Sequence, residues 1–167
     1  MIQKHSGKRG DIAIAAAAMA VAAASPALAA TGNSNMTVST TIPTTCALGS
    51  VTNIAFANPS GLSVTQTDAT GSIAVTCTNG GTYTVGADNG QNYASSTRNM
   101  KSTRSGSSAV LSYALYSDSG YSTALTTSAS IVGDGSAQTF SIYGRMPAQT
   151  ATEAGSYTDT VSLTVTY

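Results

Sequence analysis

The stretch Tyr157-Thr158-Asp159-Thr160-Val161-Ser162-Leu163-Thr164-Val165-Thr166-Tyr167 decides the fold class. Its odd positions carry Tyr157, Asp159, Val161, Leu163, Val165 and Tyr167, and its even positions only Thr and Ser. A strand points successive side chains to opposite faces, so a period of two this regular predicts a half-buried antiparallel strand with one face on a core. Val161, Leu163, Val165 and Tyr167 are its expected core-side residues, and the strand is read as running to the carboxyl end. Asp159 falls on the same inward side. A carboxylate there requires a partner, and a buried structural charge pair of Arg145 with Asp159 is the expectation, Arg98 being the other candidate cation.

Working outward, the same alternation recurs at Ile73, Val75 and Cys77, at Tyr83, Val85 and Ala87, at Leu111, Tyr113 and Leu115, and at Phe140 and Ile142. Between these runs sit Asn79-Gly80-Gly81, Asp88-Asn89-Gly90, Ser117-Asp118-Ser119-Gly120 and Gly133-Asp134-Gly135, which are turn formers. No segment holds a helical period, and the chain favours Ser, Thr, Gly, Ala, Val and Tyr over the helix formers Glu, Lys and Leu. Many short strands joined by polar, Gly-rich turns predict an all-β sandwich, because a single flat sheet cannot cover both of its faces.

The amino end reads differently. Lys4, Lys8 and Arg9 precede a small apolar run over residues 12–24, and Ala27-Leu28-Ala29 places small residues at the cleavage-determining positions, so residues 1–29 are expected to be an export signal. A membrane anchor fits less well, since the run is Ala-rich and shorter than the roughly 20 residues that span a bilayer. Without that leader four basic and six acidic residues remain. Arg98, Lys101, Arg104 and Arg145 are too few to form a stripe along a phosphate backbone, which argues against nucleic acid as a partner.

Cys46 and Cys77 are the two cysteines of the chain. In an exported protein an even pair meets an oxidising compartment and is expected to join as a disulfide. Closing a loop of this length stabilises a fold by roughly 3 to 4 kcal/mol through the entropy removed from the unfolded chain.

Ahead of Cys46, Met36, Val38, Thr40 and Ile42 alternate with Thr37, Ser39 and Thr41 behind a small polar leader at residues 31–35. Pro43 removes a backbone donor, which suits a strand end or a hinge. Periodicity alone leaves two readings of this stretch: an ordinary first strand of the sandwich, or a strand offered to another molecule.

Catalytic chemistry finds little material. The only histidine, His5, lies in the leader, so no Ser-His-Asp or Cys-His site is expected in the remainder. With the cysteines committed to each other, metal ligation by His or thiolate is not expected, and no cofactor is expected either. Asp68, Asp88, Asp118, Asp134, Glu153 and Asp159 are numerous enough for a two-carboxylate glycosidase. Most of them stand beside Gly, Ser or Asn, where Asp supports turns. The eight tyrosines are read as packing residues. The chain is therefore not expected to be an enzyme.

Several landmarks then fall in one order: Cys46, Ile54-Ala55-Phe56, Gly71-Ser72-Ile73-Ala74-Val75-Thr76-Cys77, Arg98-Asn99-Met100, Leu111-Ser112-Tyr113-Ala114-Leu115-Tyr116, Tyr143-Gly144-Arg145, and Gly155-Ser156-Tyr157-Thr158-Asp159-Thr160 before the terminal strand. Together they resemble the spore coat protein U domain family, which includes pilins of archaic, Csu-type chaperone-usher fimbriae. The resemblance implies an immunoglobulin-like sandwich over residues 45–167 that lacks its last strand. It implies that residues 30–44 are a donor strand extension, with Met36, Val38, Thr40 and Ile42 facing into a neighbouring subunit, and that Val161, Leu163, Val165 and Tyr167 form the edge of the receiving groove. An open edge of this kind aggregates unless a partner strand covers it, and a donated strand satisfies both its backbone and its apolar surface. The implied partners are identical or related pilin subunits, a periplasmic chaperone and an outer-membrane usher. The implied role is a surface fimbria subunit, exported through the periplasm and serving attachment and biofilm formation. A spore or cyst coat protein with the same domain is the alternative within the family, and a secreted carbohydrate-binding module the alternative outside it.

Overall fold

The structure, a computed structural model, describes residues 28–167. Most of the expected export signal therefore lies outside the described residues. The chain divides into two units after Thr40. Within the first, the described residues 28–40 form neither strand nor helix, and Met36 and Val38 are each 85% exposed.

The second unit, Thr41–Tyr167, is built from strands: β1 (Cys46–Thr52), β2 (Ser63–Val64), β3 (Thr67–Cys77), β4 (Thr82–Ala87), β5 (Arg98–Ser102), β6 (Val110–Tyr116), β7 (Ile131–Val132), β8 (Ala137–Met146), β9 (Gln149–Thr150), β10 (Tyr157–Thr158) and β11 (Leu163–Thr166). They form a six-stranded sheet in the order β1-β3-β8-β6-β5-β10, a three-stranded sheet in the order β11-β4-β7, and a small β2-β9 pair. All the pairings are antiparallel.

Alternation in the sequence becomes alternation in burial. On β3, Gly71, Ile73, Val75 and Cys77 are buried while their neighbours are half-buried or exposed, and on β6 Leu111, Tyr113 and Leu115 do the same. The inner faces of the two sheets meet there. Ile73, Val75 and Cys77 of the large sheet pack with Tyr83 and Val85 of the small one, and Leu163 and Val165 close against them. A second cluster joins Tyr113, Leu115 and Ile142 to Leu125, Ala87, Val161 and Leu163. The expected all-β, immunoglobulin-like sandwich is the fold.

The carboxyl-terminal alternation is present but divided between sheets. Tyr157 and Thr158 pair with Ser102 and Lys101 in the six-stranded sheet, whereas Leu163 to Thr166 pair with Ala87 to Thr84 in the three-stranded one. Residues 159–162 cross between them. Their backbone is held from the side of β4, by Gln91 N–H donating to Thr160 O and Asp88 N–H to Ser162 O, while Ser162 N–H donates to Asp88 Oδ1. Parity survives the crossing: the odd positions from 157 to 165 are half-buried and the even ones exposed. Tyr167 lies beyond β11 and is 60% exposed, so the inward row ends at Val165.

Cys46 and Cys77 are joined, and they stand directly opposite each other in the β1-β3 ladder. The bridge pins the start of β1 to the end of the longest strand. β1 itself shows no clean alternation, since only Cys46 is half-buried and Leu48 and Val51 are 56% and 54% exposed.

Candidate functional site

The large sheet is edged by β1 and β10 and the small sheet by β11 and β7. Between the segment leaving β1 and the segment entering β11 the interior opens into a cleft of about 460 Å³. Its floor is the inner face of the large sheet, with Tyr113, Leu115 and Ile142. One wall is Val51 through Ile54 with Phe56, the other Tyr157 through Val161 with Leu163. The cleft is apolar in its depth because the strands that floor it present their core positions there.

Two glycines shape the first wall. A Cβ on Gly71 would stand 2.6 Å from Thr52 O and 2.7 Å from Ile54 Cγ1, and one on Gly144 would stand 3.0 Å from Ile54 Cγ2 and 3.1 Å from Phe56 Cζ. Their missing side chains let residues 52–56 lie flat against the large sheet. Phe56 then reaches Tyr113, with ring centroids 6.4 Å apart, a tilted contact typical of packed aromatics.

Asp159 is the acidic residue of the cleft lining. Tyr113 donates its hydroxyl to Asp159 Oδ2 at 2.6 Å, and Asn92 donates to Oδ1 from its backbone N–H at 3.1 Å and from Nδ2 at 3.0 Å. Burial, followed by this carboxylate, raises the Tyr113 hydroxyl pKa, so the phenol stays protonated and remains a donor at any physiological pH.

The expected Arg145–Asp159 pair is not formed. Arg145 reaches outward from β8 to Asp68 of β3, its register partner, with Nε to Oδ1 at 2.7 Å and Nη2 to Oδ2 at 2.8 Å. The error has a geometric origin: Arg145 lies between the buried Gly144 and Met146, on the opposite face of the strand from the core. Its guanidinium also lies 3.7 Å from the ring centroid of Tyr121, and Tyr121 packs edge-on against Tyr116 and Tyr143. Arg98, the other candidate cation, is buried but donates to the carbonyls of Asp88 (2.7 Å), Leu125 (3.1 Å) and Ala87. It ties β5 to the loops of the opposite sheet. Asp159 thus relies on neutral donors, Tyr113 and Asn92, rather than on a cation.

The other carboxylates serve local structure. Asp88 caps the turn at Gly90, Asp118 accepts from Ser122 and Thr123 N–H, Asp134 accepts from Ser136 N–H, and Glu153 accepts from Ser102 and Ser107 hydroxyls. Thr40 belongs to the first unit and Ile42 to the second, where it is 79% exposed.

The sequence profile of the Spore Coat Protein U domain matches residues 32–164. The chain belongs to that family. No curated protein matches it. Among solved structures it is similar to a chain in the crystal structure of the CsuC–CsuE chaperone–tip adhesion subunit pre-assembly complex, from the archaic chaperone-usher Csu pili of Acinetobacter baumannii. The TM-score is 0.55 at 21% identity, over 76% of this chain. The likeness is one of fold, and it spans 40% of that chain's length.

Proposed function

We propose that this chain is a structural subunit of a chaperone-usher fimbria, joined to identical or related subunits by donor-strand exchange. In this reading a periplasmic chaperone holds the subunit and an outer-membrane usher assembles it. The product is a surface fibre that serves attachment and biofilm formation. The carrying observation is the cleft between the β1 and β11 edges, which has Ile54, Phe56, Ile142, Val161 and Leu163 in its lining and Asn53, Asp159 and Thr160 among its polar residues. Unpaired strand edges beside an uncovered core segment invite strand addition, which supplies backbone hydrogen bonds and apolar side chains at every second position. Residues 36–42 have that pattern, with exposed Met36, Val38 and Ile42. Membership of the Spore Coat Protein U family and the fold likeness to a Csu pilus complex support the same reading. No catalytic role belongs to it.

Deleting residues 30–42 tests the proposal. The deleted chain is expected to accumulate with the chaperone as a folded, disulfide-bonded body that accepts a donor strand but no longer polymerises. Loss of all folded protein would instead assign residues 36–42 to the chain's own core, since several kcal/mol of burial goes with such a strand at ~25 cal/mol per Å².

A further inference from the structure

We propose that donor strands are held in one register by a hydrogen bond from the Thr40 hydroxyl of one copy to the Asp159 carboxylate of the next, an inference that rests on the donor-strand reading above. In that reading Met36, Val38, Thr40 and Ile42 are the inward positions of the donor. Three are apolar and one carries a hydroxyl. The receiving side has the complementary pattern, with Leu163 and Val161 apolar and Asp159 ionic along one half-buried row. Every strand pair in the sandwich is antiparallel, and an antiparallel donor laid beside the crossing segment 159–162 and the start of β11 that sets Thr40 opposite Asp159 also sets Val38 opposite Val161 and Met36 opposite Leu163. Slipping the donor by two residues keeps parity but places Thr40 among apolar side chains and an apolar residue against the carboxylate. Thr40 then loses its partner and Asp159 keeps only its Tyr113 and Asn92 hydrogen bonds, and a buried hydroxyl without a partner is costly.

Asp159 has the capacity for this contact. A carboxylate offers about four acceptor positions. Tyr113 and Asn92 fill three, two at Oδ1 and one at Oδ2, and Gly90 packs against Oδ2 where a Cβ would overlap it, so a fourth donor has to reach Oδ2 from the cleft side, away from Gly90. The three existing hydrogen bonds hold the carboxylate still, so it meets a new donor already oriented. The charge makes this acceptor stronger than a neutral one. Arg98 is committed to backbone carbonyls and Arg145 to Asp68, so neither competes for Asp159.

Cysteine cross-linking between full-length copies separates the outcomes. Copies carrying Val38→Cys are co-expressed with copies carrying Val161→Cys, and in a parallel culture with copies carrying Leu163→Cys. The proposed register predicts an intermolecular disulfide with the first partner and at least ten-fold less with the second. Cross-linking mainly to the Leu163→Cys copies would overturn the register while preserving donor-strand exchange. Absence of both cross-links, with the native Cys46–Cys77 bridge intact in folded protein, would overturn the donor reading and this proposal together. A second measurement uses Thr40→Val, which retains shape and loses the hydroxyl, with Asp159→Asn. Each single change is expected to speed subunit release roughly ten- to a hundred-fold, as loss of a hydrogen bond to a charged group does. The double change is expected to cost clearly less than the product of the two, and independent, multiplying effects would sink the contact.

Discussion

Single residues set the walls of the cleft and the charge pattern around it. Gly71→Val would place a side chain where Thr52 O and Ile54 already stand, and the wall formed by residues 52–56 would have to lift. The expected loss is about 1 to 3 kcal/mol in urea unfolding, as for other overpacked interiors. Gly61→Ala, with open space around the added methyl, is the control and is expected to change nothing. On the outer face, the Arg145 guanidinium holds the Asp68 carboxyl below its ordinary value. A depressed carboxylate pKa stabilises the fold above the unfolded-state value of roughly 4, and that contribution disappears as pH falls through the lower folded value. Asp68→Asn should therefore shift the unfolding midpoint slightly downward at neutral pH, because the pair is partly exposed and screened, and the difference should shrink as acid protonates the carboxylate. A shift that stays the same size as the pH is lowered would mean that Asp68 acts through packing rather than charge.

Among the elements, β1 depends most on a covalent bond. Its outward residues Leu48 and Val51 gain little from burial in the isolated chain, and its one half-buried residue is the cysteine that ties it to β3. Replacing Cys46 and Cys77 together by Ser is expected to cost about 3 to 4 kcal/mol and to loosen β1 first. Amide exchange read strand by strand would check this: protection along β1 should fall before that of β3 and β8, and uniform loss would argue against a local role. The division of the last alternating stretch into β10 and β11 follows from the same kind of local hold. Asp88, Gln91 and Asn92 grip residues 159–162 and carry the chain from one sheet to the other without breaking its parity.

At the scale of the whole molecule, the proposed function requires the cleft flanked by residues 51–56 and 157–163 to accept an added strand. A synthetic peptide spanning residues 33–45, added to the chain lacking residues 30–42, should raise its unfolding free energy by about 1.4 kcal/mol for each ten-fold excess over Kd, read as a higher unfolding midpoint. The same peptide with Val38 and Ile42 both changed to Ser should not. Much of this architecture was legible in the amino-acid order. Period-two alternation specified which residues of β3, β4, β6 and β8 face inward, because a strand allows its side chains only two directions, and the cysteine count specified the bridge. Pairing and partners were another matter. Arg145 and Asp159 were matched by charge alone, yet the sheet turns Arg145 outward to Asp68 and leaves Asp159 to Tyr113 and Asn92, since strand register and face decide which groups can meet. β1 went unread because an edge strand with exposed apolar residues has no burial pattern of its own. The cleft likewise belongs to no single segment. It exists only where residues 51–56 and 157–163, about a hundred positions apart in the chain, come to flank one sheet face, and that proximity is a product of tertiary packing.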